Sequence, residues 1–171
     1  MDNFQASAGF TLADTKYQND LVGFAGRPLP TALALLPGER LSNAPLYVVT
    51  ASLAWTPPIG DSGLSALFYV DMRYQSEIRT GSDLFPEKTQ EGFAVVNGRI
   101  GLNGPERRWS IEAWAQKLLN EQFTQLGFNS PLQGGSSLGL VQRGNATFSN
   151  TLFSSFLGEP RTYGITVRTR F

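Results

Sequence analysis

The sequence contains neither cysteine nor histidine. Lack of cysteine excludes a disulfide framework, a cysteine-ligated zinc site and a thiol nucleophile. Lack of histidine removes the commonest general base and the commonest metal ligand, and makes a Ser-His-Asp triad impossible in this chain. Charge is scarce, at 16% of residues against about 25% in an ordinary soluble domain. Basic and acidic residues balance at 14 each, so no net field draws the chain toward nucleic acid. No apolar run approaches the roughly 18 residues of a transmembrane helix. The opening MDNFQASAGF has no basic and apolar leader and runs as strand from its second residue. A chain that begins this way is expected to be a piece of something longer.

What the sequence does have is alternation. Its 171 residues include 12 Phe and 18 Gly, with aromatics at 12%. Strand side chains point alternately to two faces, so a period of two marks a sheet with one apolar and one polar side. In the closing GEPRTYGITVRTRF, Tyr163, Ile165, Val167, Thr169 and Phe171 fall on one face, and Thr162, Gly164, Thr166, Arg168 and Arg170 on the other. Five earlier stretches behave likewise: NFQASAGFTL, YVVTASLAWT, GLSALFYVDMRYQSE, GFAVVNGRIGL and RRWSIEAWAQ. Each runs to about ten residues, longer than the five or six usual in globular strands and long enough to cross a bilayer's hydrocarbon at a tilt.

The connections have two sizes. PPIGDSG (57–63) and NGPE (103–106) are turn-like, whereas 16–45, 77–89 and 121–160 are long. Short turns at one end and long loops at the other is the asymmetry of an outer-membrane barrel. Trp55, Trp109 and Phe171 then fall at the short-turn rim and Tyr74 and Tyr163 near the other, as an interfacial girdle requires. The competing reading is a soluble β-sandwich or lipocalin-like small-molecule binding protein. It is weakened by the absence of predicted helices and by a facing row of small residues (Ala6, Ala8, Ala51, Ala66, Ala94, Ala113) that makes a thin core. The polar side carries Asp71, Arg73, Arg99, Glu112, Arg168 and Arg170, expected to face a water-filled lumen. A hairpin closed at NGPE places Asn97 roughly opposite Glu112 with Arg99 diagonal to it.

Two stretches resemble a known family. WSIEAWAQKLLNEQF, then a long loop, then FLGEPRTYGITVRTRF, resembles the end of a TonB-dependent outer-membrane receptor. The closing motif is intact in Pro160, Arg161, Tyr163, Gly164 and Phe171. KLLNEQF keeps Leu118, Asn120 and Phe123 of the preceding motif, with Lys117 where asparagine is usual and Leu119 where threonine or phenylalanine is. FAVVNGRIGL is similar to the family's preceding strand through Asn97 and Arg99, so the motifs cover residues 89–171. The resemblance implies an all-β, antiparallel up-and-down transmembrane barrel, here an incomplete segment of about six strands spanning 1–171 without plug or TonB box. It implies an outer-membrane location and, in the complete protein, energised uptake of a siderophore or other small-molecule nutrient. The implied partners are outer-membrane lipid, the barrel-assembly machinery and, through the missing N-terminal part, the TonB complex. Tyr163, Ile165, Val167 and Phe171 match the assembly signal of a last strand; an exposed edge is recognised by strand pairing, with alternate side chains giving specificity.

No cofactor and no catalytic role are expected. Lys16, Lys88 and Lys117 fall in loops or at strand ends without a visible nucleophile. GGSSLG (134–139) lacks the lysine of a phosphate loop and no helix is predicted after it. NAT (145–147) matches a glycosylation acceptor too short to carry weight. PLPTALALLPGERL (28–41) is expected to pack within its loop. Phe123, Phe128, Phe148, Phe153 and Phe156 either pack the last loop on itself or offer rings to an apolar solute.

Overall fold

The computed structural model describes residues 3–132, 136–144, 146–149 and 152–170. In chain order its elements are β1 (Phe4–Leu12), β2 (Tyr47–Trp55), β3 (Pro58–Ile59), β4 (Leu64–Gln75), β5 (Ile78–Arg79), β6 (Thr89–Gln90), β7 (Phe93–Asn103), β8 (Trp109–Gln116), β9 (Thr124–Asn129), α1 (Leu138–Gln142), β10 (Phe153–Leu157) and β11 (Thr162–Thr169), with four 3-10 turns between them. All six alternating segments are strands. They pair in chain order, β1-β2-β4-β7-β8-β11, each antiparallel to the next, with β3 added beside β4. Among the described residues the sheet does not close, so β1 and β11 are its edges. This is an up-and-down antiparallel sheet, the plan of a barrel wall.

The register keeps the two faces apart across the whole sheet. One row runs Ala8, Ala51, Met72, Val96; another runs Ala6, Leu53, Val70, Gly98, Ala115, Tyr163. A one-residue slip between any two strands would mix the faces, and none occurs in this sheet.

The two short connections meet one end of the sheet. β3 folds back on the start of β4, with Pro58 opposite Ser65 and Ile59 opposite Leu64. The β7–β8 connection does not turn at residues 103–106. It is a wider turn with a 3-10 segment at Pro105–Arg107, closed by the Gly104 N–H donating to the Trp109 carbonyl at 2.8 Å. The turn's centre therefore moves two residues along the chain. Glu112 lies opposite Gly101, not Asn97, and Arg99 lies opposite Trp114, still diagonal to Glu112.

The long connections, 13–46, 76–92 and 117–161, rise from the other end and are not bare loops. They hold the β5–β6 and β9–β10 hairpins. They also hold α1, which follows Ser137 directly and corrects the expectation that no helix succeeds 134–139; Ser137 Oγ accepts from the Leu140 N–H. Its five residues are too few for an N-terminal anion site, and Gly134, Gly135 and Asn145 lie outside the described residues.

Burial is inverted relative to a sandwich. The buried apolar cluster is Leu35, Leu36, Leu84, Phe85 and Leu140, all from the long connections. Leu35 and Leu36 belong to PLPTALALLPGERL, which packs within the loops as its composition suggested. The sheet's own apolar face has no second layer over it among the described residues: Phe10, Leu53, Phe68, Ile100, Ile111 and Val167 are all exposed.

Candidate functional site

The apolar face carries no charged side chain on any of its six strands. Two aromatic rows bound it. At the long-loop end Phe10, Tyr47 and Tyr74 stack across three strands, with centroids 6.3 and 6.0 Å apart. At the short-turn end Phe4 lies opposite Trp55, and Trp55 stacks on Phe68 at 5.3 Å. Trp109 continues this row at the start of β8, its ring occupying the space a Cβ on Gly104 would need. From Tyr47 to Trp55 is eight residues along β2. At about 3.3 Å per residue and a tilt of about 40°, the rows stand about 20 Å apart, close to the ~25 Å apolar band of an outer-membrane barrel.

The polar face is a cross-strand network. Asn97 Nδ2 donates to Asp71 Oδ2 at 2.8 Å, and Asn97 Oδ1 accepts from the Lys117 N–H at 3.1 Å. Arg73 donates to Gln75 at 2.9 Å. The Arg99 guanidinium lies 5.4 Å from the Tyr69 ring centre, a cation–π distance. Glu112 is only 8% exposed. It packs on Gly101, where a Cβ would meet Glu112 Cγ at 3.0 Å, and accepts from Arg168 of β11. Asp71, Asn97, Arg99, Glu112, Trp114 and Arg168 line one shallow depression. Arg170 follows β11, its backbone N–H donating to the Arg108 carbonyl at 2.7 Å.

Trp114 is the residue sequence reasoning undervalued. It belongs to the polar row, and its ring covers Gly164 on the neighbouring strand. A Cβ on Gly164 would meet Trp114 Cζ2 at 2.6 Å. The indole N–H donates to Thr166 Oγ1 at 3.1 Å. Gly164 belongs to the closing motif, and the ring above it is the physical reason for a glycine there.

On β11, Tyr163, Ile165 and Val167 point to the apolar face and are 80%, 75% and 64% exposed. One edge of β11 pairs with β8; the other has no partner among the described residues. Phe171 lies outside the described residues.

The lysines of the long connections have partners of their own. Lys16 pairs with Asp14 at 3.0 Å, Lys88 with Asp83 at 2.6 Å, and Lys117 donates to the Glu159 carbonyl. The hydrogen bond from Lys16 holds the Asp14 carboxyl below its ordinary range, against an opposing push from desolvation. Any stability this pair gives is present above the ordinary carboxylate range and fades as pH falls through the lowered value. Of the five loop phenylalanines, Phe123 stacks on Phe93 of β7 at 4.1 Å, Phe128 lies against the exposed Phe156 at 5.4 Å within the third connection, and Phe153 packs on the loop core. Phe148 is exposed.

No protein-family model matches this chain, and no curated protein matches it. Among solved structures it is similar to the ferric yersiniabactin uptake receptor FyuA of Yersinia pestis, with a TM-score of 0.71 and 14% identity. The likeness covers 100% of this chain and 21% of that receptor. The fold is therefore that of a segment of a β-barrel wall, and the chain spans about a fifth of the receptor it matches.

Proposed function

We propose that this chain forms part of the wall of an outer-membrane barrel of the TonB-dependent receptor type, whose complete protein takes up a siderophore or another small nutrient. One observation carries the reading: a six-strand sheet keeps every charge off one exposed face, bounds that face with aromatic rows, and collects its arginines and carboxylates on the other. Lipid hydrocarbon is the solvent that tolerates the first face; water in a lumen is the solvent that suits the second. The likeness to the yersiniabactin receptor supports the same reading, and the closing motif of β11 adds the barrel-assembly machinery as a partner. Coupling to TonB belongs to parts of such a receptor outside this chain.

Neighbouring residues on β2 test it. Ala51 lies midway between the aromatic rows on the apolar face, and Ser52 lies beside it on the polar face, directly opposite Asp71. Ala51→Arg is expected to cost about 2–4 kcal/mol of insertion near mid-bilayer. Ser52→Arg gains a carboxylate neighbour and is expected to insert as the parent does. The measurement is the folded, membrane-bound fraction in lipid vesicles. Equal losses in the two variants, or a soluble, cooperatively folded monomer without detergent, would return the chain to the sandwich class.

A further inference from the structure

The three long connections meet in one place. We propose that they form a single interlocked body, so that a displacement of any one is transmitted to the other two.

The shared core is the first support. Residues 13–46 contribute Leu35 and Leu36, 76–92 contribute Leu84 and Phe85, and 117–161 contribute Leu140. Phe85 and Leu140 are 0% exposed. One or two side chains per connection cannot bury themselves alone; each becomes buried only when the other connections are in place. Such packing has discrete arrangements and resists gradual deformation.

The second support is a slot built for Lys88. Its stem passes between Gly81, beside β5, and Gly127 in the middle of β9. A side chain on Gly127 would meet Lys88 Cγ at 3.2 Å and Thr80 Oγ1 at 2.8 Å, and one on Gly81 would overlap the Lys88 stem. The ammonium bonds Asp83 at 2.6 Å and lies 4.9 and 5.7 Å from the centres of the Phe85 and Phe153 rings. Asn129 also donates to Asp83, at 3.4 Å. A buried lysine held this way ties the second connection to the third.

Direct bonds join every pair of connections. The Asn43 N–H donates to the Arg79 carbonyl at 2.9 Å, first to second. Arg143 pairs with Glu39 at 3.4 Å, third to first. The Leu138 N–H donates to Glu87 at 2.7 Å and the Gly127 N–H to the Thr80 carbonyl at 3.2 Å, third to second. Opening any connection alone would strand the buried groups of the others. The cheapest opening is therefore a joint one, a single cooperative unit in hydrogen exchange. This holds whichever solvent wraps the sheet, so it stands or falls apart from the barrel reading.

The test is amide hydrogen exchange on the full chain, comparing the parent with Phe85→Ala. Exchange is expected to accelerate by about a hundredfold or more in 13–46, 76–92 and 117–161 together, the scale of deleting a buried ring. β4 and β7 are expected to exchange as before. Acceleration confined to 76–92 would overturn the proposal. Should Phe85→Ala fail to fold, Glu39→Cys with Arg143→Cys, joined by a short bis-maleimide in this cysteine-free chain, keeps it testable. The cross-link is expected to slow exchange in the unlinked middle connection as well. Slowing in the two linked connections alone would refute it.

Discussion

Beyond its backbone register on β8, β11 is held by a side-chain contact between Trp114 and Gly164. β11 is an edge strand with exposed side chains on its apolar face, so lateral packing there contributes little. On its polar face the Trp114 ring closes over Gly164 and its N–H reaches Thr166. This is an aromatic side chain filling the gap left by a cross-strand glycine. Adding a methyl at 164 forces the ring out of place, and Gly164→Ala is expected to cost about 1–3 kcal/mol, the ordinary cost of overpacking. With Trp114→Ala already made, the space is free, and the same methyl is expected to cost close to nothing. A double-mutant cycle by denaturant unfolding measures the coupling. Additive effects would show that the ring and the glycine do not depend on each other. Glu112 makes a related case: Gly101 leaves room for it and Arg168 supplies the charge, yet neither partner is near it in sequence.

Elements were legible to different degrees. The six long strands were plain in the sequence, because a period of two over about ten residues leaves little else the chain can do. Turn geometry was less plain. NGPE looked like a tight turn, but Glu106 and Arg107 both adopt left-handed backbone, with φ of 51° and 55°, which no sequence rule assigns to those residue types. That moved the register of β7 on β8 and displaced Asn97 from Glu112. The short hairpins β5–β6 and β9–β10 leave little trace in the sequence, because two to six residues carry too little alternation. The turn offers its own test. Arg107 is exposed, so Arg107→Gly removes backbone strain without removing packing. It is expected to stabilise the chain by about 0.5–1 kcal/mol, after allowing for the greater freedom of unfolded glycine, and to raise the denaturant midpoint with an unchanged slope.

At the scale of the molecule, the proposed function sets two solvents against one sheet, and the chain carries three tryptophans that report on which is which. Trp55 and Trp109 belong to the apolar face at its short-turn rim, while Trp114 belongs to the polar face beside Arg99 and Glu112. The alternation that places them was visible in the sequence. What remained hidden was whether a second protein layer covers the apolar side, because burial depends on contacts between distant segments; in the structure, burial sits among the long connections. Single-tryptophan variants, with the other two replaced by phenylalanine, turn this into a measurement. In vesicles of brominated lipid the Trp55 and Trp109 proteins are expected to be quenched strongly, with the bromines nearest the headgroups acting most, as befits interfacial rings. The Trp114 protein is expected to respond weakly to bromine at every depth and to a water-soluble quencher instead. Strong lipid quenching of Trp114 would mean that the polar face meets the bilayer. Equal aqueous quenching of all three would mean that the apolar face is not held by lipid, leaving an uncharged surface of six strands with two open edges in water, the arrangement expected to aggregate.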